Sequence, residues 1–184
     1  MDINTHLAER IRNLRKAAGL SLDALADKTG VSRSMISMIE RNQSSATAVV
    51  LERLAAGLGL SLADLFSVNT ATSEPLLRYS EQPVWHDPQS GYTRRNLSPP
   101  NAHAALQMVE VIFPAGARIA YETGLRQTPV HQQIWLLEGD MHITVGEQVY
   151  IMKQGDCLAF ELNCQTAFHN PGQIDARYLV AIHN

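Results

Sequence analysis

Gly30-Val31-Ser32-Arg33-Ser34-Met35-Ile36-Ser37-Met38-Ile39-Glu40-Arg41-Asn42 decides the fold. At ~3.6 residues per turn, Ser32, Met35, Ile36 and Ile39 fall on one side of a helix. Ser34, Met38 and Arg41 form the opposite stripe, flanked by Arg33 and Ser37. One side is suited to packing; the other presents short polar groups and arginine to a partner.

Working outward, the preceding residues supply a frame for this helix. Leu7, Ile11, Leu14 and Ala18 recur at helical spacing, and Gly19 is placed to end the run, so Asn4 to Ala18 is predicted as a first helix. Ser21 can cap a second helix carrying Leu22, Leu25 and Ala26, which Gly30 breaks before Ser32 caps the third. Two short helices joined by a three-residue turn containing Gly make a helix-turn-helix unit. Thr47 opens a fourth helix with Val50, Leu51, Leu54 and Leu58 as its apolar stripe, and Ser61 with Asp64 forms a capping box for a short fifth.

The run IRNLRKAAGLSLDALADKTGVSRSMISMIERNQSS resembles the Cro/cI-type (xenobiotic-response-element family) DNA-binding domain of phage and bacterial repressors, over residues from about 7 to 66. The resemblance implies that Arg15, near the end of the first helix, pairs with Glu40 at the end of the recognition helix. A phosphate-binding Gln that often opens the second helix is here Leu22. Insertion of the recognition helix into the major groove would bring Arg33 and Ser34 to base edges, with Ser37 and Met38 one turn deeper and Ser32 at the helix start. Arg33 can meet guanine O6 and N7, and Met38 a thymine methyl. Arg41, Asn42, Gln43 and Ser44 lie where the helix exits and suit phosphate oxygens. Placement has to do this work, because residues 1–68 carry eight Lys/Arg against seven Asp/Glu and no basic tail.

At 184 residues, 45% of them apolar, the chain can build two small domains with separate cores. No apolar run is long enough to span a bilayer, and the polar start with Asp2 and Asn4 does not read as a signal peptide, so a cytoplasmic protein is expected. Cys157 and Cys164 form neither a CxxC pair nor a disulfide framework; both are read as small buried side chains. No Ser/His/Asp arrangement, phosphate loop or paired-carboxylate motif stands at informative spacing, and no catalytic residue is assigned.

Residues 67–75 lose apolar periodicity and are rich in small polar residues. The expected division is a helix-turn-helix domain over 4–67, a linker over 68–79 and a second domain over 80–184. Beyond the linker the runs Ala104–Phe113, Ala117–Tyr121, Val130–Leu137, Met141–Val145, Gln148–Met152 and Ala176–His183 are strand-like, which suggests an antiparallel sandwich or barrel. Residues 69–184 carry seven Lys/Arg against eleven Asp/Glu, a net of minus four, so this part is not expected to be the one on DNA. Arg94 and Arg95, beside Tyr92, are available for an interdomain ion pair or a nucleic-acid contact.

HQQIWLLEGDMHITVGEQVYIMKQGDCLAFELNCQTAFHN resembles the antiparallel double-stranded β-helix of the cupin superfamily, through Leu137-Glu138-Gly139, Gly146, Gly155-Asp156 and Phe168-His169-Asn170, over residues 104–183. The resemblance implies a multidomain α + β chain with five helices followed by a cupin barrel. Many cupins hold a metal through two His, a Glu and a later His; those positions fall at Leu125, Gln127, Gln132 and Thr166, which match none of that set. His131 and His169 lie an odd number of residues away, so strand alternation turns them to the other face unless a bulge intervenes. No metal and no cofactor are therefore expected. Gln132, Ile134, Thr166 and Phe168 should face inward with Tyr121 near the mouth, and Arg118, Arg126 and His131 would meet an anion at the rim. Whether the interior is an open pocket or is filled by its own side chains stays open.

The expectation is a ligand-responsive, non-enzymatic transcriptional regulator. A homodimer would read a pseudo-palindromic operator on double-stranded DNA, bind a small-molecule effector, and have no membrane partner. The alternatives are a metal-dependent cupin enzyme carrying a helix-turn-helix domain, and a binding module whose head has lost DNA affinity.

Overall fold

Capping residues set the helix boundaries in the first part of the chain, in a computed structural model that describes residues 2–67, 74–99, 106–122 and 130–183. The helices are α1 (Ile3–Ala17), α2 (Leu22–Thr29), α3 (Arg33–Glu40), α4 (Ala48–Gly57) and α5 (Leu62–Phe66). Asp2, Ser21, Ser32 and Thr47 each accept a hydrogen bond from the backbone N–H three residues on, offsetting one of the unpaired donors at a helix start. At α5 the Asp64 carboxylate accepts from the Ser61 N–H at 2.9 Å, while the Asp64 N–H donates to Ser61 Oγ at 3.1 Å.

Gly30 ends α2 at φ +66, a left-handed conformation that any other residue would adopt only with strain, and its N–H donates to the Ala26 carbonyl. The apolar stripes converge on one core: Leu7 and Ile11 from α1, Leu25 from α2, Ile36 and Ile39 from α3, Leu51 and Leu54 from α4, and Leu65 and Phe66 from α5 are all buried. Val31 and Ile36, one before the cap and four after it, occupy the staple positions that fix how the chain enters α3, and both are buried.

Contacts divide the chain into two units, Met1–Phe66 and Ser67–Asn184. The second unit is antiparallel throughout, with strands β1 (Val84–His86), β2 (Thr93–Asn96), β3 (Leu106–Phe113), β4 (Arg118–Tyr121), β5 (His131–Glu138), β6 (Met141–Val145), β7 (Gln148–Met152), β8 (Cys157–Glu161), β9 (Thr166–His169) and β10 (Ala176–His183). They form a six-stranded sheet in the order β1-β2-β3-β10-β5-β8 and a four-stranded sheet in the order β4-β9-β6-β7. Among the described residues no strand pairing joins one sheet to the other.

The sheets face each other through alternate side chains. Val109, Val111 and Phe113 of β3, Tyr178, Val180 and Ile182 of β10, and Ile134 and Leu136 of β5 are buried from one sheet, and Ile119, Ile143 and Phe168 from the other. Phe168 stacks on Tyr178 between them, with ring centroids 6.4 Å apart. Where β10 turns past β5 the register shifts between Arg177 and Tyr178, and Gly139 fits there at φ +80, since a Cβ would stand 2.9 Å from the Ala176 Cα. A 3-10 turn at Tyr79–Glu81 precedes β1, and its Tyr79 ring lies under the Arg95 guanidinium at 4.2 Å. Among the described residues no helix is long and apolar enough to cross a membrane.

Candidate DNA interface and cupin interior

α3 carries the residues expected at base edges. Arg33 and Ser34 are exposed in its first turn, Ser37 and Met38 are half-buried, and Ile36 and Ile39 sit in the core. Ser32 falls on the packing side of the helical wheel but is exposed, because as cap it stands outside the helical turn. Its Oγ accepts from the Met35 N–H at 3.2 Å and lies 3.2 Å from Ser34 Oγ. Ser32 therefore orients the helix start and its neighbour Ser34.

The far end of α3 is fixed from two directions. Arg15 meets Glu40 through two parallel bonds, Nε to Oε1 at 2.6 Å and Nη2 to Oε2 at 2.8 Å, and donates to the Leu20 carbonyl at 2.8 Å. Both side chains are nearly covered, at 11% and 6% exposure, and the hydrogen bonds to Glu40 hold the Arg15 guanidinium above its ordinary pKa. Asn42 follows at φ +54, the only non-glycine residue with positive φ among the described residues, and its side-chain amide donates to Thr5 Oγ1 at 3.0 Å. Arg41 folds back to donate from Nε to the Ser37 carbonyl, while Gln43 is exposed and Ser44 half-buried. Of the residues expected at phosphates, Asn42 is thus already engaged in tying α1 to the end of α3. Its unusual φ was not visible in a sequence with no glycine at that site.

A second unforeseen partner is Asp23. Its Oδ1 lies 3.1 Å from Arg33 Nε, with both side chains well exposed. The two stand ten positions apart across the turn between α2 and α3, so no helical spacing links them.

In the second unit, Gln132, Ile134, Thr166 and Phe168 are buried and point between the sheets, and Tyr121 is half-buried with its hydroxyl 3.4 Å from that of Tyr92. Arg126 lies outside the described residues, as do Leu125 and Gln127. Arg118 and His131 are exposed on the outward faces of different sheets, because Ile119 and Gln132 take the inward positions beside them. His169 is outward too, 5.8 Å ring to ring from His142 and opposite Arg118 in the ladder. The two described positions at which cupins carry metal ligands, Gln132 and Thr166, offer an amide and a hydroxyl, a poor donor set for zinc or iron. Among the described residues no group of three or more His, Cys, Asp or Glu converges to hold a metal ion.

Arg94 and Arg95 resolve into opposite roles. Arg94 is buried on the inward face of β2 opposite Trp85 and Val111. Arg95 points outward and lies 3.6 Å from Glu110. The ion pair thus forms within the second unit, where an interdomain pair was expected. The interior has more aromatic residues than the strand-like runs implied: Tyr92 packs edge-on against Trp85 and stacks on Phe113, and Tyr121 meets Phe168 edge-on. Cys157 is exposed on β8, where a buried position was expected, and Cys164 is intermediate.

A capped helix-turn-helix with a polar, arginine-bearing outer face, followed by a two-sheet antiparallel domain, has the makeup of a DNA-binding regulator with an appended β domain. The helix-turn-helix family matches residues 11–65 and the cupin domain family residues 110–182. The chain belongs to the XRE-type helix-turn-helix transcriptional regulators and carries a cupin domain. It is 26% identical over 178 residues to the HTH-type transcriptional regulator SutR of Escherichia coli K12, covering 96% of this chain and 94% of the relative. A solved HTH_3 family transcriptional regulator from Vibrio cholerae superposes with a TM-score of 0.78 at 28% identity, covering 99% of this chain and 97% of that one. The crystal structure of FeII HppE, at 18% identity and a TM-score of 0.51 over 99% of this chain and all of that one, shares the fold alone.

Proposed function

We propose that this protein is a homodimeric, sequence-specific regulator whose cupin domain senses a small-molecule effector. In this reading residues 4–67 bind DNA, 68–79 link, and 80–184 close into the double-stranded β-helix that binds effector and pairs the subunits. The observation that carries the DNA half is α3: its apolar side is locked into the core and by the Arg15–Glu40 pair, and its outer turn leaves Arg33 and Ser34 in solvent. Ser37, Met38, Arg41, Gln43 and Ser32 complete the face, with Asn42 bracing it. The effector half is supported by polar Gln132 and Thr166 and the cation of Arg94 among inward apolar and aromatic side chains, the mixture that small-molecule sites use. The dimer is supported by Met108, Ile112 and Trp135, large apolar side chains exposed on the outer face of the six-stranded sheet around the Arg177–Glu110 ion pair.

Selection of an operator from random duplex DNA, followed by titration with and without candidate small molecules, tests both halves. A palindromic consensus and a ligand-dependent shift in affinity are expected. A chain that binds all duplexes equally would overturn the DNA half. An operator affinity untouched by any ligand that demonstrably binds would overturn the sensing half, since a ligand with equal affinity for both states shifts nothing. Stoichiometric metal in the purified protein, with turnover of a small substrate, would favour a cupin enzyme instead.

A further inference from the structure

We propose that Asp23 of α2, outside the recognition helix, sets base specificity by positioning Arg33. The inference rests on the reading of α3 as the base-reading helix. Arg33 is the first residue of α3, where the positive end of the helix dipole disfavours a cation. An arginine kept at such a place is a local conflict of the kind that functional residues introduce. The Asp23 carboxylate offsets it, at 3.1 Å from Arg33 Nε.

Capping of α2 falls to Ser21, which accepts from the Ala24 N–H, and Asp23 stands in the first turn of α2, where the helix dipole favours its charged form beside Arg33. Engagement at Nε leaves both Nη groups as a free-ended fork, the shape that meets guanine O6 and N7 together. The exposed ion pair biases a long side chain toward the rotamers that keep Nε beside Asp23, so less ordering remains when the base is met. The same carboxylate neutralises Arg33 toward phosphates. It weakens sequence-independent attraction and favours the specific complex over the non-specific one.

The test uses the full chain, its selected operator, and a set of duplexes with each half-site base pair replaced singly. Arg33→Ala should flatten discrimination at one G·C pair. Asp23→Asn, nearly isosteric, should lower discrimination at that same pair by about fivefold or more and raise affinity for random duplex. The double variant should be no less discriminating than Arg33→Ala alone, because the two residues act as one unit. Wild-type discrimination in Asp23→Asn would overturn the inference, and so would an altered preference at another base pair that persists without Arg33. Should Arg33→Ala leave every base pair unchanged, the reading of α3 fails first and the inference falls with it. Thermal unfolding of each variant separates these outcomes from loss of fold.

Discussion

Glu40 is nearly covered and spends both carboxylate oxygens on Arg15, a residue 25 positions earlier in the chain. Removing one partner strands the other charge in a poorly solvated place, which costs more than the pair contributes when intact. Glu40→Ala is expected to destabilise the helical unit by about 2–3 kcal/mol, read as a shifted urea midpoint in far-ultraviolet circular dichroism. Arg15→Met/Glu40→Leu should recover part of that loss. Ser32→Ala removes one cap bond and should cost about 1 kcal/mol, with weaker operator binding because the Ser34 hydroxyl loses its neighbour. The Arg15–Glu40 pair was legible through family resemblance, since no periodicity connects the two positions. Asp23 with Arg33 and Thr5 with Asn42 had neither spacing nor resemblance to announce them, because each joins two elements whose relative placement only tertiary packing decides.

At the level of elements, periodicity carried the reading as far as periodicity exists. α1 to α4 have N-caps and α5 a capping box, and β3, β5 and β10 alternate over eight residues each. β1 and β2 span three and four residues, too few for alternation to rise above chance, and β8 is an edge strand with little burial contrast. The inward sides of β5 and β9 were readable because alternation admits only two choices. The inward turn of Arg94 was not, because a charged residue is the one least expected there.

Tyr178 gives this packing a measurable signature. Burial, reinforced by Tyr92 and opposed by Arg94, pushes its phenol well above the ordinary tyrosine range. In the unfolded chain the phenol loses its proton near pH 10, while in the folded unit it stays protonated to higher pH. The stability due to the buried phenol is therefore complete below about pH 10 and falls as pH rises above it, by about 1.4 kcal/mol per pH unit. Tyr178→Phe should reduce that alkaline slope when unfolding is followed by tryptophan fluorescence between pH 9 and 11. An unchanged slope would mean that the phenol is not buried as described.

For the whole molecule the decisive question is how one small recognition helix reaches useful affinity. In the proposed homodimer two heads on one operator would convert the second contact into an intramolecular one. The outer face of the six-stranded sheet is the candidate for that symmetric contact. Trp135 of β5 is 49% exposed beside Leu179 of β10, and Met108 stands opposite Ala181. On the same face Glu110 stands in the row of Leu179 and Trp135, between Met108 and Ile112, and accepts from Arg177 at 3.3 Å, while Arg177 also donates to Glu138 at 2.8 Å, so the exposed apolar side chains flank an ion-pair cluster. Trp135→Glu adds a carboxylate in the row that already holds Glu110 and should leave the fold intact, since the residue points away from the interior. The variant is expected to sediment as a monomer and to lose about a hundredfold or more in operator affinity, while a single half-site is bound as before. A dimeric Trp135→Glu with undiminished operator binding would place the symmetric contact elsewhere on the chain.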